Sequence, residues 1–335
     1  MPMSVIVSVL FAVLFIILTV VGIIGNLVVI YAIAGDVKMR KSVMNILLLN
    51  LAIADLANLI FTIPEWISPV FFESSDWLLP SFMCPVCRYL ECLFLFASIS
   101  TQMIVCIERY IAIVLPMQAR HLCSRRNVVI TIILAWAFVA MFASPYAVWH
   151  SVRTTVCSNA AGKSNWWQTF KLVEFLAFYF VPCLIIIGVY AKVATVLWSN
   201  DPRLGNETRN CVEKPARNSD ALRTRRNVVK MLIACVTVYF ICYSPIQIIF
   251  LSKAALNVTI HPPYEFILLM NALAMTCSAS NPLLYTLFST KFRRRLRDVI
   301  YCNSKLRIQK DKELVKKSYI SINNSTITAT RASFN

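Results

Sequence analysis

The residues able to do chemistry in this chain are ionisable groups set inside apolar sequence. Glu91 lies near one end of the stretch from Cys84 to Pro116, and Glu108, Arg109 and Tyr110 lie at the other. Glu91 and Arg109 are 18 positions apart, so on a helix both project from one face, about 27 Å from each other. Lipid rejects such groups at a cost of several kcal/mol, so that face must meet protein or water. Asp55 sits equally deep in another apolar run, where it must be protonated, paired or bound to a cation. The chemistry on offer is charge recognition and charge exchange. His121, His150 and His261 are far apart in sequence, and the 12 cysteines show no metal-ligand spacing with them.

An apolar stretch of about 30 residues, at about 1.5 Å per residue, is long enough to cross a bilayer core of roughly 30 Å. The chain repeats that pattern seven times. Of its 335 residues 58% are hydrophobic and 15% are charged, the balance of a polytopic membrane protein. A net charge of +17 would suit nucleic acid in a soluble protein, but here the basic residues cluster in short loops beside the apolar runs. The positive-inside rule accounts for them, and no nucleic-acid partner is expected. Residues Met1 to Ile33 are too long an apolar run for a signal peptide and have no basic segment before them, so they read as the first span.

Span one is expected over Met3 to Ala34, with Gly22, Gly25 and Asn26 in its middle. Span two, Ser42 to Phe72, holds Asn50, Asp55, Asn58 and, after Pro64, Glu65. Span three is the Cys84 to Pro116 stretch. Span four, Val128 to Trp149, carries Trp136 and Pro145, and span five, Trp167 to Trp198, carries Glu174, Pro182 and Tyr190. Span six, Asn227 to Lys253, is broken by Pro245. Span seven, Tyr264 to Phe288, carries Asn271, Ser278, Asn281, Pro282 and Tyr285. Lys38, Arg40 and Lys41, then Arg120, Arg125 and Arg126, mark inner loops, which places the N-terminus outside and the C-terminus in the cytoplasm. Ser199 to Ala221 reads as a mobile polar connection. In Lys291 to Cys302, Phe292, Leu296, Val299 and Ile300 lie on one side and Arg293, Arg294, Arg295 and Arg297 on others, the pattern of a helix on the inner leaflet. The fold class is therefore an all-α membrane protein, a seven-transmembrane helix bundle with a short amphipathic eighth helix, over residues 1–302. A polar, disordered tail over 303–335 follows.

Cys84, at the outer end of span three, and Cys157, in the outer loop between spans four and five, both face the oxidising side. A disulfide between them would pin that loop over the bundle mouth. Cys87 competes as a partner, Cys84-Pro85-Val86-Cys87 also has the spacing of a redox dithiol, and two free thiols are the plain alternative.

Glu108-Arg109-Tyr110 ends span three on the inner side, and Asn281-Pro282-Leu283-Leu284-Tyr285 ends span seven. With Asp55, Trp136, Pro182 and Pro245 mid-span, the chain from Gly22 to Cys302 resembles the rhodopsin-like (class A) G protein-coupled receptors. The resemblance implies a switch. Arg109, held by Glu108 at rest, turns toward Tyr190 and Tyr285 when span six moves outward and opens a cleft for a heterotrimeric G protein. The bland alternative is an interfacial ion pair between Glu108 and Arg109. Tyr243 stands where the family usually has tryptophan, two residues before Pro245, and Arg225 stands where some members place an acid that locks the arginine. The resemblance also implies a sodium pocket at Asp55, Ser98, Ser278 and Asn281, although Phe94 and Cys277 replace residues that are often asparagine. An allosteric sodium ion is the sole cofactor expected, with a protonated, water-linked Asp55 as the alternative.

The bundle mouth decides the ligand. Met275 occupies the position of the Schiff-base lysine of opsins, which excludes light sensing. Amine receptors use an aspartate where this chain has Glu91, and span five offers no serine cluster opposite it. Glu65, Glu91 and Glu174 can all point into an upper cavity that favours a cationic ligand, unless Arg88, three residues before Glu91, neutralises it. Gln247, Phe250, Tyr264 and Asn271 complete the expected wall. The run Cys84 to Leu90, Ile107 to Ile113, Ala119 to Cys123 and Val229 to Leu232 is similar to the thyrotropin-releasing-hormone and ecdysis-triggering-hormone receptor branch. That similarity implies an amidated neuropeptide and a phospholipase C and calcium-linked G protein, with RFamide-type peptide receptors and biogenic amine receptors as alternatives. A transporter or channel is the remote rival, and its expected repeats and midplane broken helices are not seen.

Cys302, beside the basic amphipathic stretch, is a palmitoylation candidate that would add a second membrane anchor. Asn257-Val258-Thr259 is the glycosylation sequon on an outer loop. Ser318, Ser321, Ser325, Thr326, Thr328 and Thr330 can take phosphates from a receptor kinase and so recruit arrestin. The short N-terminal segment raises the expectation of a truncated start. The reading is a plasma-membrane neuropeptide receptor that works by population shift and is not an enzyme.

Overall fold

The computed structural model describes residues 4–72, 74, 76–162, 164–198, 215–256 and 262–288, with Arg293, Arg294 and Arg297 beyond them. For Lys38 and for residues 197–198, 215–225 and 253–256 it describes the backbone alone. The chain divides into two units, Met1–Ser289 and Thr290–Asn335. Seven helices among the described residues, all in the first unit, are long and apolar enough to cross a membrane: Val5–Ala34, Val43–Phe71, Met83–Val114, Arg125–Trp149, Asn165–Val196, Arg226–Ser252 and Tyr264–Phe288. They coincide with the seven expected spans.

Burial runs opposite to that of a soluble protein. Val5, Ile6, Leu10, Ile133, Leu134, Met141 and Ile187 are well exposed, whereas Asn26, Asp55, Asn58, Thr101, Glu108, Ser278 and Asn281 are buried. Apolar side chains can face acyl chains at no cost, but a polar group there would lose its hydrogen bonds, so the polar residues turn inward. Span three is the packing centre: it touches spans two, four, five and six. Close approach elsewhere depends on small residues. A Cβ on Gly22 would lie 2.5 Å from Leu59 Cδ1 and 3.1 Å from Ala279 Cβ, and one on Gly25 would lie 3.0 Å from Pro282 Cβ. Spans one, two and seven therefore meet through glycine.

Prolines interrupt the spans without ending them. Pro64, Pro69, Pro145, Pro245 and Pro282 all lie within continuous helices. Ahead of Pro182, span five makes a π-helical turn over Leu176–Phe180, a local rewinding of the kind that accommodates a missing N–H. Ser124 and Ser164 cap spans four and five, accepting from Asn127 N at 3.3 Å and Trp167 N at 3.2 Å.

One expectation changes, one element was not foreseen and one expected bond forms. The loop after span four holds a hairpin: β1 (His150–Arg153) and β2 (Val156–Asn159) pair antiparallel, with His150 opposite Asn159 and Arg153 opposite Val156. Thr154 turns it with φ 59°, an uncommon backbone for a β-branched residue. Helix also reaches further into the connection before span six, starting at Pro215, because it continues the backbone bonding of the span. Cys84 bonds Cys157, with Cα atoms 5.7 Å apart, so Cys87 remains a buried free thiol. Asn257, Cys302 and the tail hydroxyls lie outside the described residues, as does most of the stretch read as an eighth helix.

Candidate functional site

Polar residues occupy three levels along the bundle axis. At the outer level Arg88 Nη1 pairs with Glu65 Oε1, and its distance to Glu91 Oε2 is 3.5 Å. Glu65 comes from span two and Arg88 and Glu91 from span three, where three-residue spacing puts both on one face. Asn58 Nδ2 donates to the Glu91 carbonyl at 3.1 Å, fixing the span-two register against span three. On the other side of the mouth, Lys171 Nζ donates to Glu174 Oε1 at 2.6 Å and to Tyr146 Oη at 2.7 Å. Tyr146 Oη in turn donates to Glu174 Oε2 at 2.5 Å. The same ammonium lies 4.4 Å from the ring centroid of Phe250 on span six, a cation–π contact. Glu174 is thus internally neutralised and not an open acid.

Lys171 and Tyr146 were missed at the sequence level. Lys171 precedes Glu174 by three residues, so the spacing that linked Arg88 to Glu91 would have found it. Tyr146 is 25 residues from Lys171, and only tertiary packing joins them. Gln247 and Asn271 are half-buried, and Tyr264 is 38% exposed. Among the described residues, none of these three hydrogen-bonds to the charged cluster.

The hairpin closes over this level. The disulfide ties β2 to the top of span three, and Trp77 N donates to the Thr155 carbonyl at 2.7 Å. His150 stacks on Tyr146 with centroids 5.6 Å apart and meets Trp167 edge-on at 5.9 Å. Burial pushes its imidazole down to about 4, with the positive charge of Arg88 acting in the same direction against a bond to the Tyr146 carbonyl. The folded state favours the neutral ring, so this contribution to stability is complete above the ordinary value of 6.5 and is lost as pH falls toward about 4. Thermal unfolding of the purified protein should therefore weaken across that interval, and His150→Phe should flatten the decline. Parallel declines would contradict the assignment.

At the middle level Asp55 is fully buried and accepts from Ser98 Oγ at 2.8 Å, Ser278 Oγ at 3.1 Å and Asn281 Nδ2 at 2.7 Å. All four residues of the expected sodium pocket come together. Cys277 turns its thiol toward the Val238 carbonyl of span six, and Phe94 stacks on Phe61 at 5.7 Å, so neither offers an oxygen ligand. Tyr243 packs on Tyr239 at 4.9 Å, while Tyr239 Oη donates to the Phe178 carbonyl at 2.8 Å. A tyrosine ladder thus joins span six to the π turn of span five.

At the inner level Arg109 grips the Glu108 carboxylate twice, through Nε to Oε2 and through Nη2 to Oε1 at 2.5 Å. Glu108, Tyr190 and Tyr285 are buried, and Tyr110 is half-buried. The arginine is therefore in its carboxylate-bound arrangement.

A seven-span bundle with polar groups turned inward, a charged outer mouth and a paired guanidinium on its floor has the form of a signalling receptor and not of an enzyme. The chain belongs to the 7 transmembrane receptor (rhodopsin family), which it matches over residues 25–285. It is 72% identical to neuropeptide receptor 15 of Caenorhabditis elegans, across 99% of this chain and 100% of that protein. It is 28% identical to galanin receptor 2a of Danio rerio, across 91% of this chain and 80% of that one. It is also 29% identical to the allatostatin-A receptor of Bombyx mori, across 84% and 77%. None of these relatives supports the thyrotropin-releasing-hormone and ecdysis-triggering-hormone branch in particular.

Proposed function

We propose that this protein is a cell-surface neuropeptide receptor that activates a heterotrimeric G protein, with its N-terminus outside and its C-terminus in the cytoplasm. The relative named neuropeptide receptor 15, similar across nearly the whole of both chains, carries the ligand class. The Glu108–Arg109 pair, with Tyr190 and Tyr285 buried in the same bundle, supports the coupling step, because an always-charged guanidinium can exchange partners without titrating. Agonist binding favours bundles in which span six has moved, and the G protein reads that population. Coupling to the phospholipase C and calcium-linked class, phosphorylation of the tail and arrestin docking belong to the same reading.

A sodium ion fits the middle level in one respect: Asp55 and the hydroxyls of Ser98 and Ser278 are oxygen donors converging on one buried point. Bound there, sodium would supply a positive charge facing the buried Asp55 carboxylate. The test of function is nucleotide exchange. With the receptor in lipid nanodiscs, purified G protein should release GDP faster when at least one peptide from a panel of galanin-like and allatostatin-A-like sequences is added. A panel without effect on release, from a receptor shown to be folded in the nanodisc, would reject the reading.

A further inference from the structure

Five charged side chains meet at the outer level, and their pairing is uneven. Arg88 is engaged by Glu65, and Lys171 is enclosed by Glu174, Tyr146 and the face of Phe250. Both cations have committed partners. Among the described residues Glu91 has only a 3.5 Å approach from a guanidinium already held by Glu65, and its side chain is 22% exposed against 11% for each of the other two acids. Among the described residues the cluster holds three acids and two bases, so one negative charge is left over, and the accessible carboxylate carries it. In a partly desolvated site an unmatched charge is costly, and a mobile counter-charge is strongly favoured. Beside it, Arg88 Nε is buried and makes no hydrogen bond among the described residues, which leaves a donor for a carbonyl of the same incoming group.

We propose that the outer cluster is built to take a single positive charge, so that the ligand inserts one guanidinium or ammonium group, with a neighbouring carbonyl, against Glu91 and Arg88. This deepens the peptide-receptor reading and names the chemistry of the inserted end. Lys171 sets the count. By neutralising Glu174 it keeps the mouth from demanding a second cation, which makes it a specificity residue although it touches no ligand.

The experiment needs neither agonist nor G protein, so its failure and that of the peptide-receptor reading are seen separately. The full chain in nanodiscs is melted with about 10 mM N-acetylarginine amide, a monocation, or with its neutral isostere N-acetylcitrulline amide. The cation should raise the melting temperature by roughly 2 °C or more, the isostere should not, and Glu91→Gln should abolish the difference. Equal shifts with both compounds, no shift with either, or a shift that survives Glu91→Gln would overturn the proposal. The comparison of the two compounds on the unaltered receptor stands even where Glu91→Gln fails to fold.

Discussion

Asp55→Ala is expected to cost the folded receptor about 3 kcal/mol or more, because three donors lose their acceptor in one step. Ser98 and Ser278 have a partial remedy, since a helical hydroxyl can turn back to a carbonyl one turn earlier. Asn281 has less freedom, being 1% exposed. Asp55→Asn should be far milder, at about 1 kcal/mol. It keeps an oxygen for the serines, and a flipped Asn281 amide can accept from the new nitrogen. Thermal unfolding in detergent should therefore order wild type, Asp55→Asn and Asp55→Ala, with the large gap before the last. Equal losses in both variants would mean that charge, and not the hydrogen-bond hub, carries the stability.

Cys157→Ser is expected to remove about 4 kcal/mol, the loop-closure value for two cysteines 73 residues apart. Cys84→Ser should cost the same, and the double variant no more than either, because one bond is lost in all three. The hairpin would keep its Trp77 to Thr155 tether, so local order should outlast the loss of the crosslink. Surface delivery and melting temperature of the three variants check this. A double variant clearly worse than the singles would show that each thiol does something apart from the bond.

The spans were legible because an apolar run of bilayer length has few other destinations, and the middle level because a carboxylate at Asp55 had to find partners. The outer level was less legible. Counting Glu65, Glu91 and Glu174 as open acids ignored Lys171, and a cation inside an apolar run needs the same accounting as an anion. The Glu65 to Arg88 pair joins two spans whose relative register no sequence pattern fixes. The hairpin was hidden for a local reason: its turn is Thr154-Thr155, without the Asn-Gly or Asp-Gly that announces a tight reversal. The π turn left Pro182 as its sole trace.

One long element has a mechanical consequence. The helix that contains span six runs unbroken for 42 residues from Pro215 to Leu256, and at about 1.5 Å per residue that is about 60 Å, twice the hydrocarbon thickness. Pro245 sits toward its outer end, which leaves an arm of about 45 Å below the proline. Each degree of bend at that point sweeps the Pro215 tip through about 0.8 Å, so a bend of a few degrees, small at the mouth, arrives at the far end of the arm as a displacement of a few ångströms.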